Sequence, residues 1–277
     1  MNIDSDLATR LIYSAPEDDL RLADSRGWLG AIRLRQELAS NLQPQSSILD
    51  CGGGNGVIAK WLLDNGHRVH LVDLMPGLVA SAERALGTRS GFSCDIGDAR
   101  SLDNISSNKF DAVVALGPYY HLHDPAERSA MFAELIRVVR PGGIVIVEFM
   151  GRFNFELWVA HSALDDSYAH KLITTIGSDG NLNNDGKSKR LLLTCHTDTA
   201  HEIRQAAATA GLRNIRTIAL EGPFWAASVK AGDNLNKVEA SRLVAICRRN
   251  ATNDSFIDLS PHALLIANRG FDIGDEV

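Results

Sequence analysis

Short apolar runs alternate with helix-like segments between residues 46 and 150, and this alternation restricts the fold more than any other feature of the chain. The strand-like runs are SSILD (46–50), HRVHLVD (67–73), GFSCD (91–95), FDAVVALG (110–117) and IVIVEF (144–149). Helix-like segments separate them, such as 55–64, 76–86 and one that opens with Asp124 as N-cap, Pro125 and the capping-box acid Glu127. Continuous apolar runs are typical of strands covered on both faces. Because parallel connections need a crossover, strands alternating with helices favour a parallel sheet with helices on both sides. The sequence therefore predicts an α/β fold.

The alternation stops after Met150 and resumes near Thr199. Residues 151–176 predict an aromatic-rich helix, and the polar, glycine-rich stretch 177–189 predicts a mobile loop or turn. The predicted later elements are a helix that opens with a Thr199–Glu202 capping box, strands at 214–222 and 262–269, and a helix at 236–249.

The length of 277 residues suits one large domain, with or without an insertion. We predict a single domain over 1–277, in which 151–198 form a lid or substrate insertion and 1–44 form an N-terminal helical cap.

Composition excludes several classes of protein. The net charge is −6 and no long Lys/Arg run is present, so nucleic acid is not the expected partner. The four cysteines form no CxxC pair, which argues against zinc and against a disulfide scaffold. No apolar run approaches the ~20 residues of a membrane span, and the acidic N-terminus lacks the apolar core of a signal peptide. We expect a cytoplasmic protein of unknown oligomeric state that acts away from membranes.

The glycine-rich stretch LDCGGGNG (49–56) follows the first strand, where a ligand loop is expected. A dinucleotide fingerprint, GxGxxG, fails because Val57 stands where the third glycine is needed, or Ala59 if the pattern starts at Gly54. A Walker loop fails because no Lys-Ser/Thr pair follows. Gly53 lies outside the alternate-glycine pattern and receives no role.

The spacing Asp50-x-Gly52-x-Gly54-x-Gly56 resembles the first motif of class I S-adenosylmethionine-dependent methyltransferases. The resemblance implies glycines, with Asn55 among them, that let the backbone pass close to the amino-acid end of the cofactor. It also implies that Asp50 receives the cofactor's ammonium. An acid at this place would repel phosphate.

Four further motifs follow in the order of that family. Asp73 ends the second strand, where the family has an acid that takes both ribose hydroxyls. The resemblance assigns the other cofactor contacts to Leu74 and Met75 against the adenine, Asp98 and Ala99 at the adenine amino group, and Leu116 and Pro118 in LGPYYHL (116–122); VVRPGG (138–143) precedes the fifth strand. It implies a Rossmann-like three-layer α/β/α sandwich with a mostly parallel seven-stranded sheet and an antiparallel last strand.

LGPYYHL and EGPFW (221–225) also resemble a branch of small bacterial methyltransferases that act on small molecules. In that branch an N-terminal Tyr-acid-Arg segment and a later Arg lie over the cofactor, which implies such roles for Tyr13 and Arg33. The chain departs from the branch at LGA (29–31), where LEF is usual.

Other methyltransferase subclasses have residues that this chain lacks. Gly117-Pro118-Tyr119-Tyr120 replaces the Asn/Asp-Pro-Pro-aromatic motif of amino-group enzymes, and no Pro-Cys nucleophile exists. Asp124 and the pair Asp165-Asp166 lack a third metal ligand, so we predict no metal.

The acceptor site is predicted from aromatic residues above the strand ends. The candidate substrate-binding residues are Tyr120, Phe153, Trp158, Asp166, Tyr168, Phe224 and Trp225, and packing of lid helices is the alternative for each ring. His121 follows the fourth strand and is a candidate proton acceptor, because an ordinary histidine titrates near neutrality. A structural or helix-capping histidine is the alternative. Tyr120 and Tyr13 are candidates for orienting the acceptor or lining the methyl channel.

The predicted function is methyl transfer from S-adenosylmethionine to a small, aromatic or heteroaromatic, natural-product-type acceptor, on carbon, nitrogen or oxygen. Two alternatives are an oxidoreductase that uses a nicotinamide cofactor and a non-catalytic scaffold that keeps the cofactor fold. The first explains Asp73 equally well but not the glycine spacing.

Overall fold

The computed structural model describes residues 27–161, 166–183, 194–231 and 237–271. Its strands are β1 (Ser47–Cys51), β2 (Arg68–Asp73), β3 (Phe92–Ile96), β4 (Phe110–Ala115), β5 (Val139–Gly151), β6 (Asn181–Asn183), β7 (Thr194–Asp198), β8 (Leu212–Ala219) and β9 (Ala263–Arg269). The main path runs β3-β2-β1-β4-β5-β9-β8. β1 to β5 are parallel, whereas β9 runs antiparallel to both β5 and β8. The predicted α/β/α sandwich, with its antiparallel last strand, is confirmed.

Helices cover both faces of this sheet. They are α1 (Gly27–Asn41), α2 (Val57–Asp64), α3 (Pro76–Leu86), α4 (Pro118–His121), α5 (Pro125–Val138), α6 (Asn154–His161), α7 (Asp166–Asp179), α8 (Ala200–Thr209), α9 (Trp225–Ala231), α10 (Lys237–Asn250) and α11 (Asp254–Asp258). One apolar cluster packs α1, α2 and α3 on one face, and a second packs α5 and α8 on the other. Both faces of the central strands are therefore buried, as their continuous apolar runs predict.

The stretch 151–198 differs from the sequence prediction. α7 continues to Asp179 and β6 follows at once, so the loop predicted from residue 177 is wrong over 177–183; residues 184–193 lie outside the described part. β6 pairs with β7, and β7 pairs with the end of β5 through Met150 and Gly151. The polar composition concealed a short hairpin whose buried Leu182 and Cys195 join a third apolar cluster.

Helix starts follow the sequence in one case and depart from it in another. Thr199 and Glu202 form the predicted reciprocal capping box. Asp124 caps α5 by accepting from the Ala126 amide, but Glu127 pairs with Arg100 instead of closing a box. The ion pair between Glu127 and Arg100 thus replaces the local capping-box contact to the backbone at Asp124.

None of the helices in the described ranges is long and apolar enough to cross a membrane.

Parallel register determines where the site lies. Cys51 pairs with Val72 and with Ala115, so β1, β2 and β4 end at one edge of the sheet. The glycine loop, Asp73 and the LGPYYHL turn all follow these ends, which is where open α/β sheets bind ligands.

Candidate functional site

The glycine loop has the alternate backbone geometry that its spacing predicts. Gly52, Gly54 and Gly56 all have positive φ, at 72°, 57° and 88°. At Gly52 a Cβ would lie 2.3 Å from Pro118 Cγ, so only glycine lets the loop approach the LGPYYHL turn. The loop is therefore held against the end of β4.

The amides of this loop are used within the protein. Gly52 and Gly53 donate to the Val72 carbonyl at 2.7 and 3.2 Å, and Gly56 donates to the Gly53 carbonyl at 3.0 Å. Gly54 donates to Asp73 Oδ2 at 2.8 Å. A phosphate cradle needs such amides to face the ligand, so these four donors do not form one.

The structure gives Gly53 a role that sequence reasoning missed. A Cβ there would lie 2.7 Å from both Asp50 Oδ2 and Leu71 Cγ. Gly53 thus makes room for the Asp50 carboxylate, which is 1% exposed. The signal in the sequence was the acid three residues earlier.

Asp73 joins the loop to the second strand. Its Oδ2 accepts from the Gly54 amide, and its Oδ1 accepts from the Met75 amide at 2.8 Å. Burial raises the pKa of this carboxyl, although the two backbone hydrogen bonds oppose the rise. Each carboxylate oxygen can accept further hydrogen bonds, so Asp73 keeps capacity for ligand hydroxyls.

Three carboxylates surround the end of β1. Burial raises the pKa of the Cys51 thiol, and the charges of Asp50, Asp73 and Asp98 raise it further. Two of these acids, Asp50 and Asp73, lie directly at the loop, which suits a cationic ligand and disfavours a phosphate.

Asp98 has a partner that the sequence argument did not anticipate. Arg100 bonds both of its oxygens, with Nη2 at 2.6 Å from Oδ2, and also pairs with Glu127. Burial alone would raise the pKa of Asp98, but the bonds from Arg100 outweigh it and lower the pKa. Asp98 is thus fixed and ionised beside the loop.

The other predicted cofactor positions differ in exposure. Leu116 and Asn55 are buried, and Leu74, Met75, Ala99 and Pro118 are half-buried around the same strand ends. Arg33 is 1% exposed, but its guanidinium bonds Gln36 at 2.9 Å and Glu37 at 2.5 Å of its own helix. Tyr13 lies outside the described residues.

Tyr120 and His121 occupy the short helix α4, with ring centroids 4.7 Å apart. Burial lowers the pKa of His121 to about 4, and the charge of His123 adds to this. His121 is neutral at pH 7 and holds a proton weakly.

The structure divides the predicted aromatic residues into two groups. Tyr120 and Trp158 share the third apolar cluster with Met150 and Phe155, which we call the lid cluster together with its other members Leu172, Ile176, Leu182, Cys195 and Val159. The Phe224 ring is tilted against Phe256, with ring centroids 5.6 Å apart, and the Trp225 ring lies 6.1 Å from that of His161 of α6. Phe153 is exposed. Asp166 and Tyr168 lie in α7, and their side chains are outside the described part.

A series of buried polar contacts, which sequence reasoning missed, connects α4 to β6 and β7. Tyr119 donates to Asp198 Oδ2 at 2.8 Å, and His196 Nε2 lies 3.2 Å from Asp198 Oδ1. His196 Nδ1 in turn lies 2.8 Å from Asn181 Oδ1. These residues connect the turn after β4 to the hairpin of β6 and β7. The sequence signal for these contacts was Tyr119 itself, a residue that carries a hydroxyl group in the turn after β4.

No group of three or more His, Cys, Asp or Glu within the described ranges is arranged to hold a metal ion.

Comparison with known proteins agrees with this geometry. Residues 48–143 match the methyltransferase domain family. The matched part begins in β1 and ends in β5, so it contains the glycine loop, Asp73, Asp98 and α4.

A demethylmenaquinone methyltransferase of Beutenbergia cavernae is 29% identical over 171 residues, which are 62% of this chain and 65% of that protein. The chain spans 33% to 65% of the lengths of the curated relatives that it matches.

Two solved structures share the fold. A SAM-dependent methyltransferase of Methanosarcina mazei has a TM-score of 0.58 at 20% identity, covering 85% of this chain and 98% of that one. Phosphoethanolamine N-methyltransferase 2 of Haemonchus contortus, in complex with S-adenosyl-L-methionine, has a TM-score of 0.54 at 17% identity, covering 95% and 56%.

Gly53→Ala should destabilise the protein by about 1–3 kcal/mol, because the new methyl group overlaps the Asp50 carboxylate and Leu71. Urea denaturation measures the change. Gly77→Ala is the matched control, since nothing lies within 4 Å of a Cβ there and alanine is favoured in a helix. Equal effects of the two substitutions would contradict the role of Gly53.

His121 should make stability depend on pH. Its folded pKa is lowered, so the unfolded chain takes up the proton first; the stabilisation is present above pH 6.5 and is lost as the pH falls toward about 4. Between pH 7 and pH 5 the wild type should lose about 2 kcal/mol more than His121→Gln does. Urea denaturation at both pH values tests this, with the exposed His201→Gln as control. Parallel losses in wild type and His121→Gln would show that His121 titrates normally.

Proposed function

We propose that the protein transfers the methyl group of S-adenosylmethionine to a small-molecule acceptor. The observation that carries the proposal is a glycine loop whose amides are already bonded, with the Asp50 carboxylate against Gly53 and the Asp73 carboxylate on the Gly54 amide. S-adenosylmethionine carries a sulfonium and an ammonium, and both positive charges are favoured where acids concentrate.

The residues present fit this molecule. Positive φ at Gly52, Gly54 and Gly56 favours glycine, and the missing Cβ atoms let the loop pack closely on Pro118 and Leu86. Asp73, with backbone bonds on both oxygens, would take the ribose hydroxyls, and Asp50 would face the ammonium. Leu74 and Met75 would pack on the adenine, with Asp98 and Ala99 at its amino group and Leu116 and Pro118 closing the site.

When bound, S-adenosylmethionine supplies an electrophilic methyl group for in-line displacement. The chain's own task is to hold the acceptor nucleophile in line with that methyl at ~3 Å, which can be worth several kcal/mol. Tyr120 and His121 follow β4 beside the loop and would line the methyl channel. His121, neutral because burial lowers its pKa to about 4, would position the acceptor by accepting a hydrogen bond.

The acceptor in this proposal is aromatic or heteroaromatic. Tyr120 and Trp158 in the lid cluster, and Phe224 and Trp225 at the start of α9, have flat apolar surfaces of the kind that bind rings. The Beutenbergia relative is named for demethylmenaquinone. We propose that the insertion 151–198 covers the acceptor and that nucleic acid is not the substrate.

An oxidoreductase that binds a nicotinamide dinucleotide is less well supported. Its pyrophosphate would meet three carboxylates and a loop whose amides are bonded elsewhere. A non-catalytic scaffold would account for the glycine loop. It gives no role to Tyr120 and His121, which are buried in the short helix after β4.

The proposal is tested by incubating the protein with methyl-labelled S-adenosylmethionine and a small-molecule extract of bacterial cells. We expect label to appear in a single low-molecular-weight product, which mass spectrometry identifies. Binding of S-adenosylhomocysteine without label transfer would indicate the scaffold, and binding of NAD alone would indicate the oxidoreductase.

Asp73→Asn should weaken S-adenosylhomocysteine binding about 30-fold or more, because two hydrogen bonds to a charged carboxylate contribute roughly 2–4 kcal/mol. Isothermal titration calorimetry measures this. Asp64→Asn, at an exposed acid of α2, should bind as the wild type does. Wild-type affinity in Asp73→Asn would remove Asp73 from the site.

A further inference from the structure

A buried Glu–His pair lies at the same edge of the sheet as the site. His262 directly precedes β9, and Glu221 follows the end of β8. His262 Nδ1 lies 2.9 Å from Glu221 Oε1, with side chains that are 11% and 1% exposed. Ser260 Oγ holds the surrounding loop, 2.6 Å from the His262 carbonyl oxygen and 3.0 Å from the Gly222 amide.

This arrangement fixes the orientation and the tautomer of the imidazole. A carboxylate that accepts from Nδ1–H leaves the lone pair on Nε2. Within the described residues, Nδ1 is the ring nitrogen of His262 that has a hydrogen-bond partner. Nε2 therefore carries an unshared lone pair in a residue that is 8% exposed.

Strand pairing places His262 beside the end of β5. Phe149 of β5 pairs with Ala263 of β9, and the Gly151 amide donates to the Ser260 carbonyl, so residues 260–263 run alongside the last residues of β5. Met150, between Phe149 and Gly151, belongs to the lid cluster together with Tyr120. His262 therefore lies next to the strand end from which the lid cluster begins.

We propose that His262 accepts the proton of the methyl acceptor and that Glu221 positions it. This inference rests on the proposed function. His262 is suited to the task because it combines a buried ring, an oriented Nε2 lone pair and a carboxylate that stabilises the positive charge. His121, neutral and weakly basic, is left with positioning.

The proton transfer balances as follows. The lone pair of His262 Nε2 forms a bond to the acceptor's proton, and the electron pair of the broken bond stays on the acceptor atom. That atom forms the bond to the methyl carbon, and the pair of the broken carbon–sulfur bond goes to sulfur. The imidazolium that results stands against the Glu221 carboxylate and later returns its proton to solvent.

A proton-accepting histidine narrows the class of acceptor. The nucleophilic atom must carry a proton that it loses on methylation, as a phenol, an alcohol, an amine or an acidic C–H does. Thioethers, tertiary amines and ring nitrogens without a hydrogen do not need such a group.

His262→Asn and Glu221→Gln test the inference, because both keep a hydrogen bond across the pair while removing the proton acceptor or the charge. The assay is transfer of labelled methyl from S-adenosylmethionine to the small-molecule extract, with S-adenosylhomocysteine affinity measured by calorimetry. We expect His262→Asn to lower the transfer rate at least 100-fold and Glu221→Gln about 10-fold, both with affinity within twofold of wild type. His201→Asn, at an exposed histidine of α8, should match the wild type in both measurements.

The outcomes separate the two proposals. Transfer within threefold of wild type in His262→Asn overturns the role of His262 and leaves the methyltransferase function standing. A labelled product whose acceptor atom carried no proton overturns it as well. A wild type that neither binds S-adenosylhomocysteine nor transfers label overturns both proposals. If His262→Asn fails to fold, adding imidazole to folded His262→Gly should restore transfer, and no restoration overturns the inference.

Discussion

The hydrogen bond from the Gly54 amide to Asp73 holds the site together, because it joins the loop after β1 to the end of β2. The same carboxylate accepts from the Met75 amide, so one side chain fixes both the glycine loop and the start of α3. Forming these bonds requires a buried carboxylate, and burial raises its pKa. The Asp73 carboxylate is therefore oriented before a ligand binds. Less conformational entropy is then lost on binding, because this side chain does not have to be ordered by the ligand.

A glycine-rich loop after the first strand can bind either anionic or cationic ligands, depending on where its amides point. Glycines after a first strand usually present amides to phosphate. Here Gly52, Gly53 and Gly56 bond backbone carbonyls, and the acids around Cys51 give the site its charge. The direction in which the amides point, more than the number of glycines, decides which ligand the loop can accept.

Sequence patterns could predict the central fold because each β-α unit carries its own local signals. Pro76 begins α3 as its position predicts, and the box of Thr199 and Glu202 forms as expected. The pattern failed where a tertiary contact competed with a local one. Glu127 turns to Arg100, and the polar segment after residue 177 pairs as β6 because Leu182 is buried in the lid cluster.

The candidate site could be predicted in part for the same reason. The spacing of the glycines and of Asp73 is local, so the sequence contains it. The burial that lowers the pKa of His121, and the pairing of Glu221 with His262 across 41 positions of the chain, depend on the whole sheet. Neither follows from nearby residues.

The attachment of β7 to β5 has a consequence for how the insertion can change. Met150 and Gly151 pair with Thr197 and Asp198, and Tyr119 donates to Asp198, so both ends of the segment 151–198 are held at the edge of the sheet where the glycine loop lies. The helices α6 and α7 lie between these two fixed points. A change in the length of this segment therefore falls on α6, α7 and their packing in the lid cluster, while the strand pairing at its two ends keeps the positions of Met150 and Asp198.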